Sequence, residues 1–434
     1  MDKMADVLGR AGAWCGQNKY LSAIKNAFQN FMPLTIAGAI GVLWCNVLVN
    51  ESTGLGMFFK PIMALDFLNP AFQAVNFCTI SCITVGITLG IAQEIGVWNM
   101  GAERAGYIPG LVGLAAWLSV TNTSHMVDGA KEAFTGIAGN ELGATGLFTG
   151  MIIGVLSVEL FCFFEKQDAL KIKMPEQVPP GVARAFEVLV PAILTLIITA
   201  CIGSACYNLT GLYLNDVIKN GIQGPLGAVG ATIPGVMIIY LVIMLFWLVG
   251  IHGNNMLSAV KEALFTPLAL ENVEKFNKGE KPTNIINMYA LQMWGEFGGS
   301  GVTIGLVIAI MIFGKREDNK AIATLSLVPG LFNINETVTF GIPMVLNPIL
   351  GIPFVFACLV TIIVGYVLTV IGFCPVACLT VPWTTPPIVF GFLACGANVM
   401  GAVTQAILIV VSTVIYVPFL ISYEKYQNKQ AAEA

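Results

Sequence analysis

The sequence predicts an all-α polytopic membrane protein, with about ten transmembrane helices plus re-entrant hairpins and amphipathic surface helices. Composition points there first: of 434 residues, 56% are hydrophobic and only 11% charged, against roughly 25% charge in a soluble globular chain. Mean hydropathy is +0.80, and apolar stretches of about 20 residues, the length that crosses a bilayer as a helix, recur along the chain. A net charge of −4, with 21 basic residues mostly near the ends of apolar segments, excludes the basic surface that nucleic acid requires. The 11 cysteines are scattered through apolar stretches (Cys78, Cys82, Cys201, Cys206, Cys374, Cys378) without CxxC spacing or accompanying histidines. They read as buried small hydrophobes, not as disulfides or a metal site.

The first stretch, MDKMADVLGRAGAWCGQNKYLSAIKNAF, interleaves apolar residues with charges. That argues against a cleaved signal peptide and for an amphipathic helix over residues 1–30 lying on the membrane surface. Apolar spans follow near 31–50, 71–92, 107–121, 144–164, 186–206 and 229–250; from 251 to 422 the chain is apolar almost throughout but heavily punctuated. Lys3, Arg10, Lys19 and Lys25 precede the first span, and Lys166, Lys171, Lys173 and Arg184 lie between the fourth and fifth, so these segments are expected on the cytoplasmic side. The stretch 121–146 then falls outside. Lys261, Lys275, Lys278, Lys281 and the run GKREDNK (314–320) mark further inward-facing loops, and the basic C-terminus is expected inside as well. Both termini inside imply an even number of spans. The loop 165–187, with its MPEQVPPG hinge, divides a first transmembrane half (31–185) from a second (186–425).

Polar residues at membrane depth cost a few kcal/mol each, so those retained are functional candidates. Three stretches of the second half collect most of them. In WLVGIHGNNMLSAVKEALFTP (247–267), His252 follows an apolar span, between glycines that break the helix and would let backbone approach a ligand. Asn254 lies beside it, and the alternative is a packing histidine bonded to a carbonyl. LQMWGEFGGSGVTIGL (291–306) is too rich in glycine and hydroxyls for a lipid-facing helix; it reads as a re-entrant loop or broken helix, or else as small residues for tight helix packing. Glu296 fits either a site or a loop end. In LFNINETVTFGIPMVLNP (331–348), Asn333, Asn335 and Glu336 cannot face lipid, and Gly341, Pro343, Asn347, Pro348, Gly351 and Pro353 are expected to interrupt any continuous helix. This looks like a hairpin dipping into the membrane with Glu336 near its tip. Further on, Trp383 in TVPWTTPPIVFGF (380–392) could stack on the apolar face of a pyranose or sit at the membrane interface.

His252, Asn254, Asn333, Asn335, Glu336 and Trp383 form the candidate substrate-binding set. They lack metal-ligand spacing, a Walker loop and a hydrolase triad, and no cofactor is implied. Amide, carboxylate, imidazole and indole groups suit a neutral polyhydroxyl compound, and a sugar fits best.

The segments AIKNAFQNFMPLTIAGAIGVL (23–43), ELGATGLF (141–148), GIHGNN (250–255), TPLALEN (266–272), GGSGVTIGL (298–306), FNINETVTFGIPMVLNP (332–348) and VPWTTPP (381–387) carry a resemblance, running in order from about residue 20 to 425. They resemble the membrane-embedded IIC component of bacterial phosphotransferase systems, in the lactose, cellobiose and N,N'-diacetylchitobiose family. The resemblance implies a homodimer in the bacterial inner membrane, with its first half as dimer contact and its second as the sugar site. It also implies that a disaccharide is carried inward and phosphorylated at its 6-hydroxyl by a phosphocysteine on IIB. His252 and Glu336 would lie at that hydroxyl as the catalytic pair, and Trp383 would line the sugar site. No IIB-type phosphocysteine loop is visible, so IIB and IIA are expected as separate chains. The competing readings are an ion-coupled secondary sugar transporter, with Glu336 or His252 binding a proton, and a non-transporting sugar receptor.

Overall fold

Where lipid is the solvent, a chain must satisfy its backbone hydrogen bonds internally, and this one does so with helices. The computed structural model describes Arg10, Trp14 and residues 17–51, 55–125, 134–175, 177–225, 230–342, 344–345 and 347–433. Most of residues 1–16 of the expected surface helix, residues 126–133 of the expected external loop, and Pro343 lie outside the described residues. Helix α1 (Lys19–Leu43) runs unbroken through residues 30 and 31, from the charged stretch into the first apolar span.

By internal contact the chain forms two compact units: Ala39–Gln73 and Val229–Ala434 make up most of one, Gln17–Gly38 and Ala74–Ala228 the other. In the second unit α2 (Ile83–Met100), α3 (Ile108–Val120) and α4 (Leu147–Glu165) pack on one another, and α5 (Leu189–Thr210) packs on α3 and α4. Ile83, Ile87, Ile91 and Ile95 repeat every four residues along α2 and are all buried, with Trp117 of α3 and Phe161 of α4 buried in the same unit. Small residues let the helices close: a Cβ added at Gly113 would lie 2.3 Å from the Ala92 side chain.

Hydropathy ends the second span at 92, but α2 continues to Met100. The polar residues that follow find partners: Gln93 Nε2 donates to the Gly106 carbonyl (2.5 Å) and Glu94 accepts from Asn26 Nδ2 (2.9 Å). Glu165, buried at the end of α4, accepts from Arg104 (2.8 Å) and Arg184 (2.9 Å), and Glu187 pairs with the same two arginines. Among the described residues, the stretch expected outside shows a departure from all-helix structure, a two-residue antiparallel pairing of Ser124–His125 with Phe134–Thr135.

The first unit contains α6 (Ile233–Leu248), α7 (Gly253–Met256), α8 (Ser258–Asn277), α9 (Met288–Gly295), α10 (Ile304–Phe313), α11 (Glu317–Leu331), α12 (Glu336–Gly341), α13 (Gly351–Val370), α14 (Val389–Ala394) and α15 (Val399–Glu433). Helices α10, α13 and α14 pack on α15, α9 on α13, α11 on α10, and the short α12 on α11. Among the described residues five helical stretches are long and apolar enough to cross a bilayer. Two bent pairs, Lys60–Ser81 with Ile83–Met100 and Met288–Val302 with Ile304–Phe313, raise that to seven, and α3 and α6 are shorter apolar helices.

Candidate functional site

Helix α6 ends at Leu248, and Gly250 (φ +81°) turns the chain into the four-residue α7. A Cβ at Gly253 would sit 2.0 Å from the Ile243 carbonyl oxygen. The close backbone approach that the GIHG glycines signal is therefore to the protein's own helix α6. His252 caps α7: its Nδ1 accepts the Asn255 backbone N–H at 3.2 Å. The imidazole also lies against the buried Trp247 ring, with centroids 4.5 Å apart. Because Nδ1 is an acceptor, the proton of a neutral ring sits on Nε2. That atom lies 3.8 Å from Glu336 Oε1, and both side chains are partly exposed, His252 at 38% and Glu336 at 47%.

Helices α9 and α10 meet at a 59° bend, so the GEFGGSGVT stretch is a broken helix. Gly298 (φ +70°), Gly299 (φ +87°), Gly301 (φ +76°) and Val302 (φ +49°) are all left-handed, which only glycine adopts freely. A Cβ at Gly299 would lie 2.6 Å from Asn335 Cβ. Ser300, in the middle of this turn, joins the two halves of the site. Its hydroxyl accepts from Asn254 Nδ2 (2.9 Å), two residues from His252, and its carbonyl accepts from Asn335 Nδ2 (2.9 Å), next to Glu336.

Gly299→Ala is expected to cost about 2–5 kcal/mol, from left-handed strain and from the clash with Asn335. Gly279, at φ +71° with nothing within 4 Å of an added Cβ, is the control. Thermal unfolding of both alanine variants should show the larger loss at Gly299, and equal losses would remove the Asn335 contact from the account.

Lys261 is not a loop marker. It is 5% exposed on α8, its ammonium donates to the Glu296 carboxylate, and it lies 3.5 Å from Asn254 Oδ1. The Tyr240 hydroxyl donates to the same Glu296 oxygen at 2.7 Å. The positive-inside rule counts lysines by their neighbours in sequence, and the partner that neutralises this one is 35 residues away.

Asn333 (φ +63°) accepts from the Gly298 N–H (2.6 Å) and donates through Nδ2 to the Trp383 and Thr385 carbonyls. It thereby ties the broken helix to the segment carrying Trp383, a residue that is 45% exposed. Three residues that the sequence did not single out hold that segment and its neighbours. Fully buried Asn272 donates to the Asn284 (2.8 Å) and Ala377 (3.0 Å) carbonyls and accepts from the Thr283 and Asn284 N–H groups. Asn287 donates to the Ala377 carbonyl (3.2 Å) while capping α9, and Gln405 accepts from Ile388 N (2.7 Å) and Gly391 N (2.8 Å). The only sequence signals were an asparagine at the end of TPLALEN and a glutamine within the apolar run 399–422. Among the described residues, no three His, Cys, Asp or Glu side chains are grouped to hold a metal ion.

A helical membrane protein whose helices break around a partly exposed His–Glu pair defines an integral membrane protein with a polar site. The chain belongs to the phosphotransferase system EIIC family, whose model matches residues 25–358. It is 32% identical to the PTS system oligo-beta-mannoside-specific EIIC component of Bacillus subtilis (strain 168), over 98% of this chain and 94% of that one. It is 29% identical to the PTS system cellobiose-specific EIIC component of Lactococcus lactis subsp. lactis (strain IL1403), over 98% of each. Its fold is similar to the crystal structure of the transporter ChbC, the IIC component from the N,N'-diacetylchitobiose-specific phosphotransferase system, with a TM-score of 0.88, 29% identity and 97% of both chains covered.

Proposed function

We propose that this protein is the sugar-translocating subunit of a phosphotransferase system, carrying a disaccharide of the cellobiose or diacetylchitobiose class across the bacterial inner membrane. It presents the sugar's 6-hydroxyl to a phosphocysteine on a separate IIB protein, itself recharged by IIA. Family membership supports the transport role, and the observation that carries the chemistry is the 3.8 Å opening between His252 Nε2 and Glu336 Oε1. That is too long for a direct hydrogen bond, and a hydroxyl oxygen between the two can meet both. The hydroxyl donates its proton to Glu336, the general base, while the imidazole Nε2–H donates to the same oxygen and aims its remaining lone pair at phosphorus. As the new O–P bond forms, the S–P bond to the IIB cysteine breaks, and the hydroxyl proton ends on the Glu336 carboxylate. The product carries roughly −1.5 to −2 charge and does not re-cross the lipid.

In this reading Trp383 stacks on a sugar ring. Asn254, Asn333 and Asn335, whose amides bond to Ser300 and to the Trp383 segment, hold the contacting groups in place. The basic stretches at 166–184 and 314–320 and both termini face the cytoplasm, and the first half, 31–185, forms the homodimer contact. Titration of the purified protein with cellobiose, diacetylchitobiose and lactose tests the site. One of them should bind, and Trp383→Ala should weaken it by about 0.5–1.5 kcal/mol, up to roughly tenfold. Unchanged affinity for all three would return Trp383 to an interfacial role.

A further inference from the structure

The Lys261–Glu296 pair lies outside the proposed chemistry, yet a run of polar contacts leads from it to Asn254 and Asn335, which lie within two residues of His252 and Glu336 along the chain. Tyr240 donates to Glu296 (2.7 Å), and the Lys261 ammonium bridges Glu296 and Asn254 Oδ1. Asn254 Nδ2 then donates to Ser300 Oγ (2.9 Å), and the Ser300 carbonyl accepts from Asn335 Nδ2 (2.9 Å). Asn254 is two residues from His252, and Asn335 adjoins Glu336.

Stability is a poor reason for such a pair. Desolvating two charges offsets most of their attraction, and apolar replacements of similar volume are often neutral. Orientation is a better one. An ammonium at Oδ1 admits one rotamer of the Asn254 amide, since the flipped amide would turn its own N–H groups toward the cation. Only the unflipped rotamer sends Nδ2 to Ser300. The Tyr240 hydroxyl and ring, the latter 5.5 Å from the Lys261 ammonium, brace the charges in turn.

We propose that Lys261 and Glu296 are a positioning pair that sets the His252–Glu336 separation through Asn254 and Ser300, and so governs the rate of transfer to the bound sugar rather than its affinity. The inference rests on the function proposed above.

The test compares wild type, the double variant Lys261→Met with Glu296→Met, and Ser300→Ala, each measured for disaccharide affinity and for single-turnover transfer from phosphorylated IIB at saturating sugar. Both variants are expected to bind sugar near wild-type affinity and to transfer about tenfold to a hundredfold more slowly, the cost of sub-ångström misplacement. Wild-type transfer in the double variant would make the pair purely structural and overturn the proposal. Should the double variant fail to fold, Ser300→Ala decides, because it removes the hydroxyl that accepts from Asn254 without leaving a buried charge unpaired; wild-type transfer there overturns the proposal equally. Absence of transfer in the wild type itself would instead sink the proposed function.

Discussion

Glu336→Gln is expected to leave disaccharide affinity close to wild type while lowering phosphoryl transfer by about 10²–10⁴-fold, the contribution of a positioned general base. The amide matches the carboxylate in shape and can still accept a hydrogen bond, so binding survives; it cannot take the hydroxyl proton. The fold should also survive, because Glu336 is partly exposed and, among the described residues, its ion-pair contact is the 3.8 Å approach of His252. Single-turnover assays with sugar pre-bound and phosphorylated IIB added separate the two quantities. A wild-type rate would remove Glu336 from the chemistry.

Asn272→Ala should have the largest effect on the fold. Its fully buried side chain satisfies two carbonyls and two N–H groups across three segments of chain. Asn287 Nδ2 still donates to both carbonyls in the alanine variant, but the Thr283 and Asn284 N–H groups lose their acceptor; at about 1–3 kcal/mol each, a total loss of roughly 2–6 kcal/mol follows. That is a large share of a typical folding free energy. Thermal unfolding in detergent should show a strongly lowered Tm, and sugar binding should weaken because the segment that Asn272 fastens at Ala377 leads to Trp383. An unchanged Tm would mean that water or repacking satisfies those groups.

The residues that break the lipid rule stood out in the sequence, and their geometry did not. His252 and Glu336 are conspicuous because an ionisable side chain in an apolar context is costly, and the glycines of GGSG because a lipid-facing helix has no use for them. Ser300 bonds to the neighbours of both, its hydroxyl to Asn254 and its carbonyl to Asn335, beside their 3.8 Å approach; no spacing in the chain announces that. Lys261 was misplaced for the same reason, since charge patterning cannot show that a lysine is buried against Glu296. The helix limits slipped where polar residues are paired. Helix α2 runs past residue 92 because Gln93 and Glu94 find partners at Gly106 and Asn26, and a hydropathy window registers only their polarity. Asn272, Asn287 and Gln405 are ordinary polar residues by sequence, and it is the backbone groups of distant segments that give them their role.

The most direct measurement is uptake of radiolabelled cellobiose and diacetylchitobiose into vesicles holding this protein, with phosphorylated IIB enclosed or omitted and the internal product identified chemically. Group translocation requires 6-phosphorylated sugar inside only when phosphorylated IIB is present. Accumulation of unmodified sugar, driven by a proton gradient and indifferent to IIB, would contradict it and make Glu336 a coupling site instead.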